Sequence, residues 1–309
     1  MGTVVYVPFA ASVLVALLSR VAATRLWPRA AAWAMATAAL ALAVSTCGAL
    51  VVLASPLLAQ VPLVATLGGW QPVAVASRSP VPAWVSFVTV VAIVVVAVRA
   101  VREVRSLADE IRDAVRLRAV VRRRSSDVLV IHDAVPAAHA VGVGLTRRGA
   151  VVVTSSMLGL LDDDERAAVI AHERSHLLRR HAAFSAAVRL AAAVNPILTG
   201  MRSDVAYGLE RWADEDAAAE AGRPVLASAL AKAALAMLER ARSARLAPGL
   251  ALDRHGVSER VGALLAEPNR RSRPAWVLVV VSVAAALALA WATHDTERFF
   301  EAVRLWSHR

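Results

Sequence analysis

Asp162-Asp163-Asp164-Glu165-Arg166-Ala167-Ala168-Val169-Ile170-Ala171-His172-Glu173-Arg174-Ser175-His176 is the stretch from which the rest of the chain can be read. Its acidic opening suits the positive end of a helix macrodipole, and Glu165 stands three residues after Asp162 as in a capping box. A helix is therefore predicted to start here and to run through His176 and beyond. Residues four apart share a helix face, so His172 and His176 can offer two imidazole nitrogens to one tetrahedral ion. Glu173 lies beside them, where a carboxylate can polarise water. Arg179, Arg180 and His181 read as a polar face of the same helix.

Two histidines and a glutamate make a hydrolytic core that lacks a third metal ligand. That ligand has to be a histidine or carboxylate from another element, because Cys47 is the sole cysteine and sits in an apolar stretch. Glu210-Arg211-Trp212-Ala213-Asp214 supplies a pair of carboxylates, again four apart. Glu210 reads as the ligand and Asp214 as the acceptor that holds a ligand histidine in its tautomer. The alternative is a solvated acidic face, since Glu215, Asp216 and Glu220 follow closely.

Outward from this centre the chain becomes apolar. Of 309 residues 58% are apolar, and mean hydropathy is +0.56, above what a water-bounded core requires. Residues 1–19, 30–77, 79–98 and 275–293 carry no charge, and each is long enough for a membrane span. A cleaved signal peptide would need a basic segment before the first of these, and Met1 to Ala10 has none, so a retained helix is expected. The second stretch is too long for one helix. Its membrane part is placed at about 30–53, leaving Pro56, Pro62, Gly68, Gly69 and Pro72 to a loop. The expected organisation is three spans within 1–98 (about 3–20, 30–53 and 81–98), a cytoplasmic α+β domain over 99–274, a fourth span at 275–293 and a short extracytoplasmic tail at 294–309.

Net charge is +11, nearly all of it from arginine, with Lys232 the only lysine. Arg20, Arg25 and Arg29 lie between spans one and two; Arg99, Arg102 and Arg105 follow span three; Arg270, Arg271 and Arg273 precede span four. The loop between spans two and three has only Arg78. The positive-inside rule then puts the amino terminus outside and the 99–274 region in the cytoplasm. Arginines that track membrane boundaries without a reading-head motif speak against direct nucleic-acid binding.

Within the 99–274 region, Val104, Leu107, Ile111, Val115 and Leu117 recur at helical spacing after span three. Val128–Ile131 and Gly149–Thr154 are of strand type, and His139 to Leu145, alternating with glycine, is expected as an exposed edge strand. The apolar run 183–198 ends at Asn195-Pro196. A fifth crossing there would move Glu210 across the membrane from His172, so a re-entrant helix or a buried core helix is expected.

The segments Ala-His-Glu-Arg-Ser-His (171–176) and Glu-Arg-Trp-Ala-Asp-Glu-Asp-Ala (210–217) resemble the paired signature of the integral-membrane gluzincins. These include heat-shock membrane proteases of the HtpX type, prenyl-protein endopeptidases and the BlaR/MecR-type sensor-transducers, whose layout the order of spans resembles most. The resemblance covers roughly residues 85 to 293. It implies that His172, His176 and Glu210 bind zinc, that Glu173 is the general base and that Asp214 stands behind a ligand. It also implies that Arg260 lies near the site and that His255 could stabilise an oxyanion, although Gly256 follows where relatives tend to have proline. About sixteen residues follow span four, too few for a penicillin-binding sensor, so covalent sensing of beta-lactams is not carried over.

The expected activity is hydrolysis of a protein or peptide by a membrane-bound zinc endopeptidase, with an edge strand holding the substrate. Two substrate classes remain open: a transcriptional repressor in signal transduction, or misfolded membrane protein in quality control. A zinc-bound but catalytically silent signalling protein is the rival from the binding class, and the intact Glu173 speaks against it. A transporter would need polar residues within the spans, which contain almost none.

Overall fold

The computed structural model describes residues 3–79, 81–121, 127–142, 146, 148–243, 256–266 and 276–307. Among them four helices are long and apolar enough to cross a membrane: Val4–Arg25, Pro28–Leu58, Ala83–Ala119 and Val279–Leu305. They belong to α1 (Val7–Arg25, after a 3-10 turn at Thr3–Tyr6), α2 (Pro28–Leu58), α5 (Ala83–Val121) and α12 (Trp276–Ser307). The chain is mainly helical with a small sheet, as expected, and these four helices are compatible with a membrane protein.

Two expectations about the span ends need correction. Helix α2 does not stop before Pro56 but runs through it to Leu58. Proline removes the donor that would reach the Val52 carbonyl, and the Ser55 hydroxyl donates to that carbonyl instead at 2.7 Å. The segment beyond is not an open loop: α3 (Pro62–Gly68) and α4 (Pro72–Arg78) form within it, and Gly69 ends α3 in the left-handed region (φ 69°). Residues 294–307 continue α12 without a break from the expected fourth span. Its last turns carry Phe299, Phe300 and Val303 into a cluster with Trp70, Ala74 and Val75, and Arg304 donates to the Gly68 carbonyl.

The sheet is three-stranded, in the order β1 (Val128–Ile131), β3 (Gly149–Thr154), β2 (Ala138–Gly142). β1 runs parallel to β3 with Val128 opposite Val151, and β2 runs antiparallel with Ala140 opposite Val151. The β-branched run Val151–Val153 is buried in the middle, as expected of a strand covered on both faces. β2 is an edge strand, as the glycine-rich pattern suggests; residues 143–145 of that stretch lie outside the described residues.

After α6 (Ser155–Leu160), helix α7 (Asp163–Leu178) begins with the anticipated capping box. Asp162 Oδ1 accepts from the Glu165 amide at 2.9 Å, and Glu165 Oε2 from the Asp162 amide at 3.1 Å. Glu165 does more than cap. Ser228 and Lys232 of α10 (Arg223–Ser243) donate to it, so α7 is fastened to α10 at its first turn.

α8 (His181–Val194) is the apolar run in question, and α9 (Met201–Ala221) follows a 3-10 turn at Pro196–Gly200. α8 and α9 share one core with α1 and α2, in which Val15, Met35, Leu42, Val188, Met201 and Val205 are essentially inaccessible. Polar ties reinforce it. Asn195 Nδ2 donates to Ser12 and Thr46 hydroxyls at 2.7 and 3.0 Å, and Arg211 caps the carbonyl end of α1 at Ala23 and Thr24. Arg99 of α5 caps α8 at Ala192 and Ala193, while Arg189 of α8 pairs with Glu103 and Glu110 of α5. α11 (Val257–Leu265) lies against α9 and α10.

Candidate metal centre

The four-residue helical repeat does at α7 and α9 what the spacing implies. His172 and His176 present their Nε2 atoms 3.2 Å apart. Glu210 places one carboxylate oxygen 3.4 Å from His172 Nε2 and the other 3.6 Å from His176 Nε2. Among the described residues these three form the one cluster of His, Cys, Asp or Glu with metal-ligand spacing. A tetrahedral zinc with arms of about 2.0 to 2.1 Å holds its ligand atoms roughly 3.4 Å apart, so the donor set fits such an ion in both chemistry and separation.

Behind the cluster a salt-bridged layer holds the donors. Asp214, one helical turn after Glu210, sets Oδ1 3.0 Å from His172 Nδ1. Arg260 of α11 donates to both oxygens of Asp214 and lies 2.9 Å from Glu210. Asp214 and Arg260 are 2% and 5% exposed, which a charge tolerates only when paired. Gly256 (φ 60°) begins α11 in the left-handed region, where a Cβ would also press on the Tyr207 ring at 3.1 Å. Arg260 therefore touches Asp214 and Glu210, whereas His255 lies outside the described residues.

Of the acidic residues that follow on α9, Glu220 is exposed but Glu215 and Asp216 are held in pairs. Glu215 pairs with Arg223, and Asp216 accepts from Ser175 and Arg179 of α7.

Electrostatics follow this arrangement. Burial opposes charge on His172, but Asp214 and Glu210 outweigh it and hold the imidazole at about 10. Burial likewise opposes ionisation of Glu210 and Asp214, yet His172 and Arg260 keep both carboxyls below their usual range. A site that favours a proton between two carboxylates favours a metal cation there for the same reason. Burial pushes His176 down to about 4, leaving one ring nitrogen with a free lone pair. Burial also pushes the Glu173 carboxyl up, against the opposing pull of His172. An elevated carboxyl pKa suits a group that must take and return a proton near neutrality.

Glu173 and His176 line a cavity of about 500 Å³ whose other wall is the β2 edge at Ala138, His139, Ala140 and Gly142. Ala140 and Glu173 line the same cavity, so this edge of the strand faces the site.

His181 is the residue that sequence reasoning missed. Helix α7 does not extend through Arg179-Arg180-His181; it ends at Leu178, and Arg180 turns the chain in the left-handed region (φ 56°). His181 then begins α8 fully buried, its Nδ1 3.0 Å from His176 Nδ1. No glycine or proline marks this reversal. The available signal was a histidine at the head of an apolar run rather than within a charged one.

These elements fall within a region of known kind. Residues 102–245 match peptidase family M48. The M48 match covers just under half of the chain and includes α7, α8 and α9 whole, hence all three candidate ligands. The family includes HtpX and BlaR-type membrane metallopeptidases, so the resemblance drawn from the two motifs holds at the level of M48. M48 implies a protease, and its members depend on a metal. Neither a curated protein nor a solved structure matches the chain.

Proposed function

We propose that the chain is a membrane-bound zinc-dependent endopeptidase that cleaves a cytoplasmic or membrane-associated protein. The observation that carries this reading is the convergence of His172, His176 and Glu210 at ligand spacing beside Glu173, in a cavity bounded by a strand edge. His172, His176 and Glu210 hold the zinc. When bound, the ion supplies Lewis acidity, which acidifies water and polarises a carbonyl.

The chain's own residues do the rest. Glu173 takes the proton of the attacking water at its carboxylate and delivers it to the leaving amine. The β2 edge aligns the substrate backbone as an added strand, since Ala138, His139, Ala140 and Gly142 of that edge line the cavity. Asp214 fixes His172, and Arg260 neutralises Asp214 and Glu210 so that both carboxylates stay ionised in a buried site.

The arginine distribution supports placing the amino terminus outside and the peptidase region, 99–274, in the cytoplasm between the spans of 1–98 and 275–293. With the cavity on that side, a transcriptional repressor is the substrate class that a signalling protease of this layout would cut. Glu173→Gln tests the reading in full-length protein in native membranes. The variant should keep zinc at the wild-type stoichiometry while cleavage, followed by comparing the two proteomes, disappears. Unchanged cleavage by the variant would refute the assignment.

A further inference from the structure

His176 is held differently from His172. Behind His172 stands a carboxylate, Asp214; behind His176 stands another imidazole, His181, with the two Nδ1 atoms 3.0 Å apart. His181 is 2% exposed, packs on Trp212 with ring centres 4.9 Å apart and meets His176 nearly edge-on at 88°. Its Nε2 is buried without a hydrogen-bond partner. A ring this confined cannot swing away to solvent, so the contact with His176 is a fixed part of the site.

The proton between the two facing nitrogens can be assigned by chemistry. A neutral imidazole carries one N–H and one lone pair. His176 turns Nε2 towards His172 Nε2 and Glu210, so as a ligand it needs its lone pair there and its proton on Nδ1. His181 Nδ1 is then the acceptor, and its own proton resides on Nε2.

We infer that His181 is a positioning residue, which accepts the His176 Nδ1–H and thereby fixes the tautomer and ring orientation of that metal ligand. The inference rests on the zinc-site reading above. It makes the two histidine ligands unequal: a carboxylate behind His172 strengthens its donor nitrogen more than a neutral imidazole strengthens that of His176.

The test uses the full chain in detergent with zinc alone as probe, its affinity measured by chelator competition at constant pH. His181→Phe keeps a ring against Trp212 but removes the acceptor, while His181→Asn keeps an acceptor near the Nδ1 position. The expected result is a loss of about 10- to 100-fold in zinc affinity for Phe, with Asn staying within about three-fold of wild type. Cobalt-substituted protein should show an altered visible spectrum for Phe only. His181→Gln, whose amide reaches the Nε2 position rather than Nδ1, should lose affinity like Phe and serves if Phe does not fold. Wild-type affinity in both Phe and Gln would overturn the inference, as would an equal loss in Asn. A wild-type chain that binds no zinc would overturn the metal-site reading itself, and this inference with it.

Discussion

Arg260 grips Asp214 through two hydrogen bonds of 2.7 Å, one from Nε and one from a terminal nitrogen, and both side chains are nearly excluded from solvent. The same guanidinium reaches Glu210. Arg260→Ala leaves two buried carboxylates without their counter-charge, and the expected cost is about 3 to 5 kcal/mol of stability. Arg260→Lys keeps the charge but not the fork that spans both carboxylates, and should fall between the two. Thermal unfolding in detergent checks the order; an alanine variant as stable as wild type would contradict it.

Because the candidate ligands come from α7 and α9, a bound ion should staple these helices together. With free zinc at about a thousand times its Kd, stabilisation should reach about 4 kcal/mol. Chelation should lower the melting temperature of wild type and leave Glu210→Gln little changed. Equal melting with and without chelator in wild type would exclude a structural contribution from the metal.

Glu165 links acidity to stability. Burial disfavours its charge, but Lys232, Ser228 and the Asp162 amide bring its carboxyl down from an ordinary 4.5 to about 2. A depressed folded pKa means the contribution is complete above about 4.5 and is lost as pH falls towards 2. Wild type should therefore lose melting temperature over that window, and Glu165→Gln, already lacking the ion pair, should lose less. Parallel curves for the two proteins would show that Glu165 does not carry the effect.

Asn195 and Ser12 should be energetically coupled. The amide donates to Ser12 at 2.7 Å within a buried contact of α1 with the turn after α8. Each single change to alanine should destabilise by about 1 kcal/mol, with the double variant costing less than the sum. Strict additivity in a double-mutant cycle would indicate no interaction.

What the sequence disclosed was local. His172 and His176 on one face, Glu210 and Asp214 on another, and the cap at Asp162 all depend on spacings of three and four along a helix, and all three stand as read. What it withheld depends on a turn or a partner far away in the chain. The reversal at Arg180 brings His181 back onto His176 without any turn-forming residue to announce it. Pro56 stays helical because Ser55 satisfies the freed carbonyl, a substitution of donors invisible in a hydropathy pattern. Arg189, the single charge in its apolar run, meets Glu103 and Glu110, some eighty residues earlier.

The core shared by α1, α2, α8 and α9 means that the part of the chain holding the candidate metal site cannot be cut away from the first two helices without baring that core. A fragment beginning near residue 99 would keep Glu210 and both histidines but bare Met201, Val205, Leu209 and Trp212, which in the whole chain face Val15, Met35 and their neighbours. Such a piece would be insoluble before it could be inactive. Any gene fusion, split reporter or evolutionary shuffling event that preserves the candidate metal site must therefore move the first two helices with it.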